Sequence, residues 1–326
     1  MKIKNTLRRL SGLVLITVHV LLFTATGAHA ASVVALGDLN YDVTLDPSRP
    51  RRGIVPEVAA GSFHSVVLQN DGAVAAWGDD RFGQSTIPEK LLRFPAKQIA
   101  AGNVHSLALM WSGTVLAWGP TNGQYGDFGQ CNVPTGLKQV VAIAAGAVHS
   151  LALKRDGTVV AWGGNWTGQC DVPPELHQVV AIAGGMYHSL ALQQNRTVVA
   201  WGENTWGQTM VPEGLNDVVA IAAGGNHSLA LKRDGTVVSW GTYGLAQFSV
   251  PEGLTNVAAI ATGDYHSLAL LSNGTLVAWG FNNAGQCDVP PGITNIAAIS
   301  ARGSHSLILI NEPEAAAPHP HRRHLK

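Results

Sequence analysis

Seven copies of His-Ser recur along this chain, at His64, His105, His149, His188, His227, His266 and His305. They are separated by 41, 44, 39, 39, 39 and 39 residues. Trp-Gly recurs at Trp77, Trp118, Trp162, Trp201, Trp240 and Trp279, each tryptophan 13 residues after its histidine. Self-similarity at a fixed period of this length marks a repeat architecture, in which one unit cannot bury its own apolar surface and must stack on its neighbours.

The unit from Val140 to Pro173 shows what is repeated. Val140 to Ala145 is an apolar run ending at Gly146, and Ser150 to Lys154 alternates small and leucine side chains. Arg155-Asp156-Gly157 is a tight-turn signal, because Asp-Gly tolerates the positive φ of a hairpin. Thr158 to Trp162 is rich in β-branched residues, and Gly163 to Gly168 is a loop. Each unit therefore supplies three strands, with Gln169 to Pro173 as a candidate weak fourth, and no helical period. Leu151 and Trp162 are expected to share one face, against small residues such as Ala142 and Ala144 of a neighbour. Sheets of this size, apolar on both faces, stack radially into an all-β, seven-bladed β-propeller.

The two ends of the chain complete one another. The last unit has His305-Ser306 and the apolar run Leu307-Ile308-Leu309 but no following Trp-Gly. The segment Val33-Val34-Ala35-Leu36-Gly37 matches Val159-Val160-Ala161-Trp162-Gly163, and no His-Ser precedes it. The N-terminal strand is thus expected to finish the seventh blade and close the ring. The propeller is assigned to residues 31–310, with a disordered Ala/Pro/His-rich tail over 311–326. Residues 1–30 read as a signal peptide. Lys2, Lys4, Arg8 and Arg9 precede a 14-residue apolar stretch, Leu10 to Phe23, and Ala28-His29-Ala30 offers a cleavage site. A spanning helix needs about 20 apolar residues, so export with cleavage after Ala30, to a secreted or periplasmic location, is expected.

The pattern in residues 220–241, Ala-Ile-Ala-Ala-Gly-x-x-His-Ser-Leu-Ala-Leu-x-x-Asp-Gly-Thr-Val-Val-x-Trp-Gly, resembles the regulator-of-chromosome-condensation repeat. The resemblance covers 33–310. It implies a propeller, and the 39-residue spacing is similar to that of a short-blade exported form, the bacterial propeller that inhibits β-lactamases. That likeness implies protein binding, with enzyme inhibition as the specific case. No residue for the nucleotide exchange of the nuclear members is carried over.

Charge narrows the partner. Without the four cations of residues 1–30, 17 Lys and Arg face 21 Asp and Glu, a net charge of −4. Nucleic acid and an anionic membrane surface are poor partners for such a chain. No nucleophile–base pair, metal-ligand spacing or phosphate loop is present, so no enzymatic activity, catalytic residue, metal or cofactor is expected, and the domain is expected to be a monomer. The seven histidines read as turn residues bonded to nearby backbone rather than as a metal ring, since seven equivalent positions do not converge on one ion. Cys131, Cys170 and Cys287 all follow Gly-Gln. Equivalent points on neighbouring blades lie too far apart for a disulfide, which needs Cα atoms within about 7 Å, so free, half-buried thiols are expected.

A residue repeated in every blade serves the blade, so a binding site must break the symmetry. Two segments vary: the pair before each histidine and the loop after each Trp-Gly. Strand alternation puts both at one end of the ring, here the upper face, and the uniform Asp-Gly turns at the lower. The upper-face segments hold all five tyrosines, including Tyr41, and the candidate binding residues Phe63, Phe82, Tyr125, Phe128, Trp166, Tyr187, Trp206, Tyr243, Asp264, Tyr265, Phe281 and Arg302. Tyr187, Trp206, Tyr243 and Tyr265, in three consecutive blades, are expected to form the densest patch. Such aromatics anchor protein interfaces; the competing readings are rim residues that cap the blades, and a sugar-stacking, glycan-binding surface. Three asymmetries stand out. The loop Pro120 to Gly129 is five residues longer than its counterparts. The loop Asp38 to Gly53 carries Arg49, Arg51 and Arg52. Arg302 replaces a glycine found in the other six units, either as a relaxed turn or turned toward the channel mouth.

Overall fold

The computed structural model describes residues 31–37, 43–44, 55–121, 123, 125–242 and 248–311. The signal segment, most of the loop 38–54 with Tyr41 and its arginines, Tyr243, and the tail beyond Asn311 lie outside the described residues. Seven small antiparallel sheets are arranged as the repeat dictates, making a seven-bladed propeller. Blade 1 comprises Glu57–Ala60, His64–Leu68 and Val74–Gly78; blade 3 comprises Val140–Ala145, His149–Lys154 and Val159–Gly163; the others follow the same plan. The seventh is built from β21 (Ile296–Arg302), β22 (His305–Asn311) and β1 (Ala31–Gly37), with the short β2 (Val43–Thr44) outside them. In register, Val33 lies opposite Leu309 and Ala35 opposite Leu307, so the two ends of the chain close the ring as their half-units require. The last strand reaches Asn311, the residue at which the sequence places the start of the tail.

Three details correct the sequence reading. Gln169 to Pro173 forms no fourth strand; Asp171 N–H bonds the Gly168 carbonyl and Val172 N–H bonds the Cys170 carbonyl, so the segment turns instead of extending. A single helical turn, α1 (Glu89–Arg93), precedes blade 2, holding Leu91 in the core and pairing Arg93 with Glu89. Finally, Leu151 and Trp162 lie on opposite faces of their blade. Trp162 is registered opposite Ser150, whereas Leu151 faces Ala161 and Ala144. Leu151 and Leu153 therefore pack on Ile182, Ala191 and Trp201 of blade 4, while Trp162 packs on Leu107 and Leu109 of blade 2. The same plan recurs between other blades, and in blade 7 Leu36 takes the tryptophan's place, packing on Leu268 and Leu270. Each fully buried leucine contributes roughly 1.5–3 kcal/mol.

The repeat's polar residues form a second, circular layer. Each histidine is buried and its Nε2 meets the serine hydroxyl of the next blade: His64–Ser106 at 2.8 Å, His149–Ser189 at 2.9 Å, and so on to His305–Ser65 at 3.4 Å. All seven links are present, including His105–Ser150, His188–Ser228, His227–Ser267 and His266–Ser306. The histidine partner is therefore a side chain of the neighbouring blade rather than local backbone. Ser106, Ser150, Ser189, Ser228 and Ser306 each donate their only proton to the carbonyl of a Gly-Gln glutamine. With that proton spent, the hydroxyl must accept from the imidazole, which fixes the Nε2–H tautomer in these links. The same glutamine carbonyls accept the indole N–H of Trp162, Trp201 and Trp240. Two repeated glycines follow from this layer. A Cβ on Gly146 would stand 2.0 Å from the His149 ring, and one on Gly163, at φ +108, would stand 2.7 Å from the Val148 carbonyl oxygen.

Candidate functional site

The upper face is assembled by backbone bonds between the two variable segments. The first residue after Trp-Gly donates to the residue before the histidine: Asp79 to Phe63, Gly164 to Val148, Glu203 to Tyr187 and Phe281 to Tyr265, at 2.8–2.9 Å. Within five of the loops the buried glutamine accepts an N–H two residues upstream, as Gln130 does from Phe128 and Gln208 from Trp206. Loop ends are thus fixed by the repeat while loop side chains are left free to differ.

On this platform the aromatic residues fall into two groups. Phe128 and Trp166 meet edge-to-face at 4.7 Å, and Trp166 meets Tyr187 at 6.5 Å, a continuous run over blades 2, 3 and 4. Trp166 is 61% exposed and Phe128 is also exposed, while Tyr187 is half-buried. Tyr125, 88% exposed, and half-buried Phe82 lie 6.2 Å apart beside this run. The second group is Tyr265, Phe281 and Phe248, with contacts of 5.8 and 5.9 Å. Phe63 and Trp206 are exposed, and neither stacks on another ring among the described residues. The expected patch of Tyr187, Trp206, Tyr243 and Tyr265 is therefore corrected. Tyr187 joins Trp166 and Phe128, Tyr265 joins Phe281, and Tyr243 lies outside the described residues. Phe128 holds the place before Gly-Gln that Phe82 and Trp206 hold in their loops, and from there it meets Trp166 of blade 3.

The two charged candidates sit elsewhere. Arg302 is 3% exposed and Asp264 8%. The Arg302 guanidinium crosses the ring and donates to the carbonyls of Gly184 and Gly185 in blade 4, at 3.1 and 3.3 Å. Its Nε stands 3.5 Å from Asp264 Oδ1. Arg302 is thus turned into the channel mouth and spans it. Desolvation lowers its pKa, opposed by the Asp264 carboxylate. At the six equivalent glycines a Cβ would stand 2.0–2.5 Å from the following histidine ring, and His305, which follows Arg302, makes the longest link of the belt. Glu203 accepts from the Thr205 backbone and hydroxyl, closing its own turn.

Cys131, Cys170 and Cys287 are free and half-buried, and burial pushes their thiols up to about 12, 12 and 11. The histidines are held neutral, His105 and His188 at about 3 and His64 and His227 at about 4, chiefly by desolvation. No cluster of His, Cys, Asp or Glu suited to a metal occurs among the described residues.

Fold and face together define a seven-bladed β-propeller with one uniform and one variable, aromatic end. The Regulator of chromosome condensation (RCC1) repeat matches residues 57–84, 140–169, 218–242 and 257–286, in four of the seven blades, and these matches support an RCC repeat propeller. Prp20p from Saccharomyces cerevisiae, described with its binding to Gsp1p and histones, is similar in structure. It has a TM-score of 0.72 and 22% identity over 92% of this chain and 94% of that one. Human WBSCR16 aligns with a TM-score of 0.66 and 18% identity, over 87% of this chain and 100% of that one. The ectodomain of the Physcomitrella patens receptor kinase CR4 aligns at 0.62 and 25% identity, over 76% and 68%. No curated protein matches the chain by sequence.

Proposed function

We propose that this chain is an exported binding protein whose variable upper face grips a protein partner, with inhibition of an exported enzyme as the specific case. The observation that carries the reading is the run Phe128–Trp166–Tyr187. Three rings from three blades form one surface, and two of them stand in water. Blade stability does not need this, because the lower ends of the ring are closed by short hairpin turns without such rings, as at Asp156 and Asp234. A pseudo-symmetric ring matches an asymmetric partner only by varying its loops, and exposed Trp and Tyr at its centre are the residues expected to anchor a partner. The export signal read in residues 1–30 supports partners outside the cytoplasm. The short repeat makes a β-lactamase the first enzyme to assay.

The test uses the mature protein, Trp166→Ala, Phe128→Ala and the lower-face control Asp156→Ala as parallel baits in native periplasm or culture fluid. A partner retained by the wild type and by Asp156→Ala but lost from both aromatic variants is expected. Its affinity should fall by about 2 kcal/mol at a true anchor, with melting temperatures unchanged. Loss of the partner from Asp156→Ala alone would place the binding face at the wrong end. Early melting of the aromatic variants would make these rings blade caps.

A further inference from the structure

The repeat's glycines are replaced by arginine at two places. At the upper turn, Gly61, Gly102, Gly146, Gly185, Gly224 and Gly263 have Arg302 as their counterpart. At the lower hairpin, Gly72, Gly113, Gly157, Gly235 and Gly274 have Arg196. Both arginines line the same space, a cavity of about 770 Å³ running along the propeller axis between the innermost strands. Its size lies in the range of small-molecule sites. Nothing in blade packing asks for the replacement at Arg196. Arg196 keeps the glycine's backbone shape, at φ +70, the most positive φ of any non-glycine among the described residues. Side chains with a Cβ rarely adopt this conformation, and such departures gather at functional positions.

The two ends of the cavity differ. At the top, buried Arg302 spans from blade 7 to the Gly184 and Gly185 carbonyls on the far side of the ring, and so roofs the channel. At the bottom the lining includes half-buried Arg196, half-buried Lys232 and exposed Arg233. Lys232 is paired with Asp234 at 3.3 Å, but neither Arg196 nor Arg233 has a carboxylate within reach among the described residues. The walls between are alanine methyls and strand edges, including Ala59, Ala100, Ala144, Ala183 and Ala222. One carboxylate lines the space, Glu57 on blade 1, and it is engaged between blades with the Ile99 N–H. A cationic cavity has thus been built into a chain that carries a net charge of −4 over residues 31–326.

From this we infer that the central channel is a one-ended pocket for an organic oxyanion, a carboxylate or phosphate monoester with an uncharged body, entering from the lower face and held at its head by Arg196 and Arg233. A guanidinium offers paired donors in the geometry that carboxylate and phosphate accept. The alanine walls leave room for the body. This site lies at the opposite end from the aromatic face and does not depend on it.

The test is calorimetric titration of the mature protein with octanoate, mono-octyl phosphate and octyltrimethylammonium. The two anions should bind and the cation should not; the tighter anion identifies the head group. Arg196→Gly restores the residue of the other blades, so it should keep or raise the melting temperature while weakening anion binding at least tenfold. Arg233→Ser should weaken it further, and Trp166→Ala should leave it unchanged. The inference is overturned if neither anion binds, if the cation binds equally well, if Arg196→Gly binds as the wild type does, or if Trp166→Ala is the variant that loses binding.

Discussion

Arg302 shows how much a single residue can hold and how little of it the sequence reveals. Its replacement of a glycine was visible from the repeat alone, but its partners lie 117 and 118 residues away, and only the closed ring brings them opposite. A buried arginine is tolerable here because two carbonyls and Asp264 face it. Removing one member of such a pair leaves the other charge buried and uncompensated, at a cost of about 3–5 kcal/mol. Arg302→Gly should therefore lower the denaturant midpoint sharply, although it restores the repeat's own residue. The double variant Arg302→Gly/Asp264→Asn removes both charges and should recover part of the loss. A melting temperature of Arg302→Gly at or above that of the wild type would show that the strut across the channel carries no stability.

At the scale of elements, the repeat was legible because its residues answer to fixed geometry. Gly146 lies under an imidazole, Gly163 against a carbonyl, and Gln130 under a serine and an indole. Each recurs because its surroundings recur. The opposite placement of Leu151 and Trp162 was not legible, because it depends on which residues pair across a hairpin, and a one-residue shift in pairing inverts the face. The grouping of Phe128 with Trp166 was hidden for a related reason: a loop's length is written in the sequence and its direction is not. Closure was the exception among long-range features, since the complementary half-units at the two ends left one arrangement. In it, β1 covers one edge of β22 along its whole length and buries Val33, Ala35 and Leu36. Deleting 31–37 would strip seven paired residues from β22 and leave an open strand edge prone to intermolecular pairing. The shortened protein should melt well below the wild type and associate on light scattering. An unchanged melting temperature would refute closure by this strand.

For the whole molecule, the histidine belt links all seven blades into one titrating unit. Each imidazole is buried, meets the next blade's serine through Nε2, and has no bonded partner at Nδ1 among the described residues. Protonation would place a charge at Nδ1 with nothing to receive its proton, so desolvation holds all seven below the ordinary value of 6.5: His105, His188 and His266 at about 3, His64, His227 and His305 at about 4, and His149 well below it. The unfolded chain takes up these protons near pH 6.5; the folded ring takes them up only near pH 3–4. Stability is therefore fully present above pH 6.5 and is lost as pH falls through the window between the two values. Each histidine contributes a slope of about 1.4 kcal/mol per pH unit there. Seven acting together would exhaust the roughly 5–15 kcal/mol of an ordinary domain within one or two pH units. The carboxylates with lowered values, Asp79, Asp80 and Glu203, add their effect only at more acidic pH. Denaturant titrations between pH 7 and 4 should show net uptake of several protons on unfolding, approaching seven near pH 5. His188→Gln, which can still donate to Ser228, should reduce that number by one. An uptake of one or two protons in the wild type would mean that the blades yield to acid separately and that the belt does not bind them into a single cooperative ring.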